Sequence, residues 1–399
     1  MFQKLVSHNG DIERLVEKGY AVAFDDGYLV VRDVPYLDAA KALQWGVIVT
    51  KLVFIDNQRV RQDDHQIFFA GGVPHNLNGA AIPNLGGGPT TLALGEGFED
   101  VVVQRSFSNK PVPEGKFSDF FAKIESYVAI ISGPAIEVYG VTPLSYKVDK
   151  TNRGNPIFRF HDTLTSRAEI GDLSALMKND VVAVIGLGGT GGYLLDFLVK
   201  TPVQEIRGFD LDVFHVHNAY RSPGRFNPAE LDKTKAEIYR DRYENFRTGL
   251  NIEAKYIDSA SAAELEGVTF AFVCVDKGPA RAAIFDILMQ LAIPFIDVGL
   301  GLNRKRGPLN GMLRATYYSR ERAQKTRGEG HAELSEQPDA LYHKNVQICE
   351  LNALNASLAI IKFKQLRGFY VEDGGIYHLL FEIADMKVVT QAEDDDVQT

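Results

Sequence analysis

Two cysteines in 399 residues, Cys274 and Cys349, cannot build a disulfide framework or paired Cys-x-x-Cys zinc ligands. No apolar run is long enough to cross a bilayer, and no secretory signal opens the chain. Basic clusters are lacking apart from Arg304-Lys305-Arg306, and a net charge of −9 argues against a nucleic-acid partner. These absences leave a cytoplasmic enzyme as the expectation, with no membrane and no nucleic acid among its partners. What is present fits that class. A hydrophobic fraction of 45% and a charged fraction of 24% are those of a globular chain, and the length allows two or three domains.

Three segments are expected. Residues 1–150 mix a helical start at 11–18 with short apolar runs at 47–54 and 66–70, punctuated by glycine and proline, and read as a separate N-terminal α+β domain. Within it, 83–89 reads as an exposed loop, and 118–132 as a helix that Gly133-Pro134 stops. A polar, glycine-broken stretch at 147–160 is a plausible linker. From 180 to 301 strands alternate with helices, which implies an α/β, Rossmann-like, mainly parallel sheet with helices on both faces, in a domain assigned to 151–372. A polar segment at 319–343 reads as a functional loop, and a helix at 344–366 carries Ile348, Leu351, Leu354, Leu358 and Ile361 on one stripe. Residues 373–399 are assigned to a C-terminal extension with an acidic tail, Glu393-Asp394-Asp395-Asp396.

The most informative stretch is Val181-Val182-Ala183-Val184-Ile185-Gly186-Leu187-Gly188-Gly189-Thr190-Gly191-Gly192. An apolar strand opens into a glycine turn and then an amphipathic helix at 193–200. Gly186, Gly188 and Gly191 supply the tight turn, the close approach to phosphate and the close helix-on-strand contact of a nucleotide site. The next strand, 206–210, ends in Asp210 at about the offset of a ribose-binding carboxylate. At this point NAD and ATP are both allowed, and so is a tight turn with no ligand.

Further residues follow in order: Asp210-Leu211-Asp212-Val213, Asn218, Arg221, Lys233-Thr234-Lys235-Ala236, then Phe272-Val273-Cys274-Val275-Asp276 with Arg281 five places on. With this combination, residues from about 160 to 370 resemble the ThiF/MoeB superfamily, ATP-dependent activators of ubiquitin-like and sulfur-carrier proteins, here in a bacterial form with an N-terminal accessory domain. The resemblance implies ATP and magnesium as cofactors. Gly186, Gly188, Gly189, Thr190 and Gly191 would cradle phosphate, Asp210 would hold the ribose hydroxyls, and Asp212 would also border the nucleotide. Asn218, Arg221 and Lys235 would contact the triphosphate, and Asp276 would bind the metal. Arg221, Lys235 and Asp276 would carry the catalysis, and a homodimer is implied. Arg167 loosely resembles an arginine that such enzymes extend into a partner subunit's site.

Some residues depart from the pattern. No cysteine lies in 319–343, where thioester-forming relatives carry one, so transfer to a cysteine of this chain is not expected. Lys277 follows Asp276 where a small polar residue is usual. Cys349 reads as a small buried hydrophobe, and His215 and His217 have no third partner for a metal. In the first domain Pro74-His75-Asn76 resembles a ubiquitin-conjugating fold, but without a cysteine it would not be the thioester-forming kind. A recognition module that offers strand edges is the favoured reading there.

The leading expectation is thus an adenylyltransferase that activates the C-terminal carboxylate of a ubiquitin-like protein or peptide as an acyl-adenylate, releasing pyrophosphate. A catalytically idle nucleotide-binding partner of another activating subunit remains open, as does an NAD-dependent oxidoreductase.

Overall fold

Ile12, Leu15 and Val16 recur at helical spacing and form the buried stripe of α2 (Gly10–Lys18), which follows α1 (Phe2–Ser7) and ends where Gly19 takes a left-handed φ of 112°. The computed structural model describes residues 2–393 except 26, 63, 84, 96, 112–114, 148–156, 161, 163, 166, 167, 169, 305, 306 and 337–345. Arg167, residues 148–156 of the linker expected at 147–160 and the acidic tail beyond Glu393 therefore lie outside the described residues. Two compact units emerge, Met1–Gly171 and Asp172–Thr399.

In the first unit β1 (Ala21–Asp25), β2 (Tyr28–Leu37) and β3 (Leu43–Lys51) form an antiparallel meander. A small hairpin of β4 (Val53–Phe54) and β5 (Val60–Arg61) leads to β6 (Gln66–Ala70), β7 (Gly88–Pro89) and β8 (Arg105–Ser108). The sheet order is β1-β2-β3-β6-β8-β7, so β1 and β7 are its edges. The run at 66–70 is a strand as expected, whereas the loop expected at 83–89 contributes β7.

Helix α3 spans Phe120–Tyr139 and corrects the expected stop at Gly133-Pro134. Phe120, Ile124, Tyr127, Val128, Ile131 and Ala135 bury one face of it in the core shared with β2 and α2. That packing lies before Pro134 except for Ala135, with Ile136, Val138 and Tyr139 exposed beyond it, and it offsets the backbone bond that proline cannot donate. The helix ends instead at Gly140, left-handed with φ 62°. The opposite sheet face is covered by the chain itself, with Phe98, Val101 and Val103 packed on Ala23, Val30 and Val49.

The second unit holds a sheet of order β11-β10-β9-β12-β13-β14-β15-β16. Five strands are parallel: β9 (Val181–Ile185), β10 (Glu205–Phe209), β11 (Leu250–Glu253), β12 (Phe270–Val273) and β13 (Phe295–Asn303). Antiparallel β14 (Asn310–Tyr318), β15 (Ile376–Glu382) and β16 (Lys387–Ala392) extend it. The mainly parallel α/β sheet read from the sequence is present, and the segment set apart as an extension supplies its last two strands.

Helices cover both faces. On one side α4 (Gly189–Leu198) and α9 (Cys349–Leu366) pack with Val182, Val184, Phe270 and Phe272. On the other, α7 (Gly278–Gln290) and α8 (Ala323–Gly328) pack with Ile185, Val273 and Phe295. Between β10 and β11 the chain also forms α5 (Val216–Ala219) and α6 (Lys235–Tyr243). The stripe expected on the helix at 344–366 is offset. Its buried residues are Asn352, Asn355, Ala356, Ala359, Ile360 and Phe363, while Ile361 is exposed. Asn352 lies against Gly189 of the glycine turn, and farther along Ile360 and Phe363 fill the core against the sheet.

Candidate active site

The glycine turn is tight at named atoms. Gly186 has φ 93°, and a Cβ there would stand 2.7 Å from the Cys274 carbonyl oxygen. A Cβ on Gly191 would fall 1.9 Å from the Gly186 carbonyl oxygen, so the helix can begin this close to β9 only with glycine. Gly189 lies against the Asn352 carboxamide, and Thr190 Oγ1 donates to Asn352 Oδ1 at 3.1 Å. Gly188 occupies the N-cap of α4 with nothing within 4 Å of its Cβ position. The first-turn amides of α4 and its dipole make this end of the helix favourable for an anion.

Asp210 follows β10 and is buried. Its Oδ2 accepts from the Leu187 backbone N at 2.7 Å, and its Oδ1 from Asp212 N at 2.9 Å. Lys235, the first residue of α6, is also buried and bridges the two acids. Its Nζ lies 2.7 Å from Asp212 Oδ2 and 3.4 Å from both Asp210 oxygens. Burial raises the Asp210 carboxyl above its usual range, against the opposing pull of Lys235 and the two backbone donors. For Asp212 burial also pushes upward, but Lys235, Tyr256 and Lys277 outweigh it and hold the carboxyl below its usual range.

Asn218 lies on α5 and Arg221 just after it. Asn218 is buried, and its Oδ1 accepts from His215 N at 2.8 Å, which caps α5. Arg221 N donates to the Asn218 carbonyl oxygen at 3.1 Å, and its Nε is buried without a partner among the described residues. Neither is hydrogen-bonded, among the described residues, to Asp210, Asp212, Lys235 or Asp276. Asp276 is exposed just past β12, its Oδ2 accepting from Gln347 Nε2 at 3.1 Å.

Sequence reasoning singled out Arg281 but missed the cluster around it. A cavity of about 660 Å³ opens beside Asp276 and the Gly188–Thr190 turn and runs across β13, β14 and β15. Beneath it Asp297 is completely buried on β13 and gripped by two arginines, Arg281 Nε at 3.1 Å and Arg314 Nη2. Arg281 also donates to the Val275 and Glu333 carbonyls. Arg314 Nη1 donates to Thr316 Oγ1 at 3.0 Å, which meets His378 Nδ1 at 2.9 Å. His331 stacks on His378 with ring centroids 3.8 Å apart. Burial, with help from His331 and Arg314, pushes His378 down to about 4, so it is neutral at ordinary pH. One sequence signal could have found this cluster: an aspartate inside the apolar strand Phe295-Ile296-Asp297-Val298 must have cationic partners to be buried.

Among the described residues no group of three His, Cys, Asp or Glu side chains is arranged to hold a metal by itself. An exposed carboxylate at Asp276, beside a turn suited to phosphate, nonetheless fits magnesium, which takes one or two carboxylates and completes its shell from phosphate and water. No helix among the described residues is long and apolar enough to cross a membrane.

Comparison with known proteins divides the chain in two. Residues 10–163 match a domain of unknown function, DUF6791, and residues 168–313 match the ThiF family. The ubiquitin-like modifier-activating enzyme 5 of Bombyx mori is 25% identical over 145 residues, 33% of this chain and 36% of that protein. The match thus spans only about a third of that relative. Crystal structures of E. coli MccB and of PaaA are similar at 16% identity, with TM-scores of 0.43 and 0.42. MccB is matched over 55% of this chain and 66% of its own, PaaA over 58% and 70%. Resemblance this distant says nothing of substrate.

Proposed function

We propose, from the premise that residues 168–313 form a ThiF family domain, that this protein is an ATP-dependent adenylyltransferase acting on the C-terminal carboxylate of a ubiquitin-like protein or peptide. One observation carries the reading. The positive end of α4, the buried Lys235 ammonium and the exposed Asp276 carboxylate all border the turn at 186–190, where an apposed triphosphate needs cationic and metal-binding groups.

In this mechanism an acceptor carboxylate oxygen attacks the α-phosphorus of ATP. A C–O–P bond forms, the bond to the bridging oxygen breaks, and pyrophosphate leaves with its electron pair. Turn amides and the α4 dipole hold the phosphate, and Asp210 is positioned by Leu187 N to accept from ribose hydroxyls. Lys235 exchanges an Asp212 contact for phosphate oxygen, and Asn218 and Arg221 supply further donors to the leaving group. Magnesium held by Asp276 would neutralise charge on the phosphates. No cysteine of this chain takes the acyl group, and the first unit serves as the recognition module. A homodimer is part of the same proposal.

The test is the melting temperature with magnesium-ATP, ATP plus EDTA, NADH and NADPH, with Asp276→Ala alongside. A ligand at about a hundred times its Kd adds roughly 2.7 kcal/mol to a fold that alone binds it. A shift with magnesium-ATP only, lost in Asp276→Ala, supports the reading. A shift with a nicotinamide cofactor instead overturns it.

A further inference from the structure

Two helices, α4 and α9, begin side by side at the glycine turn. Asn352 of α9 lies against Gly189 and Thr190 of α4, and Cys349 Sγ meets Tyr193 Oη at 2.8 Å, so the first turns of the two helices stand level with each other. Gln347 and Asn352 bracket the first turn of α9, and both line the cavity together with Gly188, Gly189 and Thr190.

The start of α9 is left open. Ile348 stands at its N-cap, where it has no side-chain oxygen to offer, and the amides of Cys349, Glu350 and Leu351 have no acceptor among the described residues. This 18-residue helix therefore presents its positive end bare.

A buried side chain points to the same spot. Asn352 is 1% exposed, and its Nδ2 is buried without a partner. Thr190 Oγ1 donates to Oδ1 at 3.1 Å, which assigns the other arm of the carboxamide as the NH2 group. Gly189 has no positive φ, but a Cβ there would stand 2.1 Å from that Nδ2, so glycine at 189 makes room for the carboxamide. A buried N–H with no acceptor is costly, and in the wall of a cavity a ligand oxygen removes the cost.

Acids flank this helix start. Asp276 Oδ2 accepts from Gln347 Nε2 at 3.1 Å, Glu350 lies in the first turn, and Glu333 lines the same cavity. They would repel a bare anion, whereas an anion carrying magnesium meets Asp276 through the metal. The spacing of the two helices adds a condition of size. Packed helix axes lie about 8–10 Å apart, so a single phosphate at α4 does not also reach the amides of α9, and a chain of linked phosphates does.

We propose that the open first turn of α9, with Asn352 Nδ2, is a seat for the pyrophosphate end of magnesium-ATP and holds pyrophosphate as it leaves, while α4 keeps the α-phosphate. This rests on the adenylation reading, which makes pyrophosphate the leaving group. Each half of the divided triphosphate then has its own helix end, and the second faces the negative charge that builds on the departing group.

Inorganic pyrophosphate and AMP are the probes, each titrated with magnesium into the full-length protein by calorimetry. Asn352→Asp keeps the acceptor for Thr190 but sets a carboxylate where the NH2 group stood. It should weaken pyrophosphate at least tenfold and leave AMP within twofold. Glu350→Gln removes an acid from the first turn and should tighten pyrophosphate about threefold. Glu350 is exposed, so this arm stands even where the buried Asn352 variant does not fold. Unchanged pyrophosphate affinity in either folded variant overturns the seat; Nδ2 then serves only packing, through a water shared with the equally unpartnered Asn355 Oδ1. AMP weakening as much as pyrophosphate makes Asn352 a support of the glycine turn and also overturns it, as does an absence of pyrophosphate binding in protein that binds magnesium-ATP. Pyrophosphate binding with both variant effects, in protein that binds neither AMP nor magnesium-ATP, leaves the seat standing and removes the adenylation reading instead.

Discussion

Replacing Asp297 with asparagine should be among the most damaging single changes in the second unit. Its carboxylate is fully buried and compensates two guanidiniums that are themselves nearly buried, with side-chain exposures of 8% for Arg281 and 12% for Arg314. The substituted carboxamide would keep one acceptor oxygen but turn an NH2 group toward the other arginine, leaving two cations with no counter-charge. Two charge-assisted hydrogen bonds at about 1.5–3 kcal/mol each, or a broken buried pair at about 3–5 kcal/mol, give the same range. At about 2–4 °C per kcal/mol for a unit of this size, Tm should fall by roughly 6–20 °C. Scanning calorimetry on the full chain reads this directly. Adding Arg314→Met removes one stranded cation and should restore about 1–2 kcal/mol. A fall below about 2 °C, or a double variant worse than the sum of its parts, refutes the clamp.

Gly191→Ala should prevent a normal fold, because its Cβ would overlap the Gly186 carbonyl, whereas Gly188→Ala should fold within about 1 kcal/mol of the parent and lose nucleotide affinity. Soluble yield and the magnesium-ATP thermal shift of the two variants separate these effects. His378 should make the protein acid-sensitive. Its folded pKa of about 4 lies below the ordinary 6.5, so its contribution is whole above pH 6.5 and is lost as pH falls from 6.5 toward 4. Unfolding titrations across that window should show a loss of about 2–3 kcal/mol that His378→Gln flattens. Arg247 is buried and donates to the Leu198, Thr201 and Val203 carbonyls where α4 ends. Arg247→Met should cost about 2–3 kcal/mol in denaturant unfolding, through carbonyls left unsatisfied, and leave nucleotide binding unchanged.

The parts of the site legible in the sequence are those that local chemistry enforces. A strand, a turn that tolerates no side chain at Gly186 or Gly191 and a helix are written within twelve residues, and the Asp210 offset follows from the length of one strand–helix–strand unit. The capping of α6 by Thr234, with Glu237 in return, is equally local and brings Lys235 to the mouth of the turn. Pairings across long separations are a different matter. Arg314 and His378 are 64 positions apart by their numbers and share Thr316 only because β14 and β15 are neighbours in register, Thr316 opposite His378.

By itself, then, the sequence determined the alternation of strands and helices from 180 to 301, the glycine turn and the acids at its edge, since each depends on residues a few positions apart. Tertiary structure alone decided that α3 continues through Pro134, where burial of the turns before it and of Ala135 outweighs one missing bond. It decided that α9 turns Asn352, Ala356, Ala359, Ile360 and Phe363 inward rather than its leucines, with Asn352 against Gly189. It also decided that Ile376–Ala392 completes the sheet, and that Asp297, Arg281, Arg314 and His378 meet beside one cavity. Burial, register and charge compensation act between segments remote in the chain, and no local pattern specifies them.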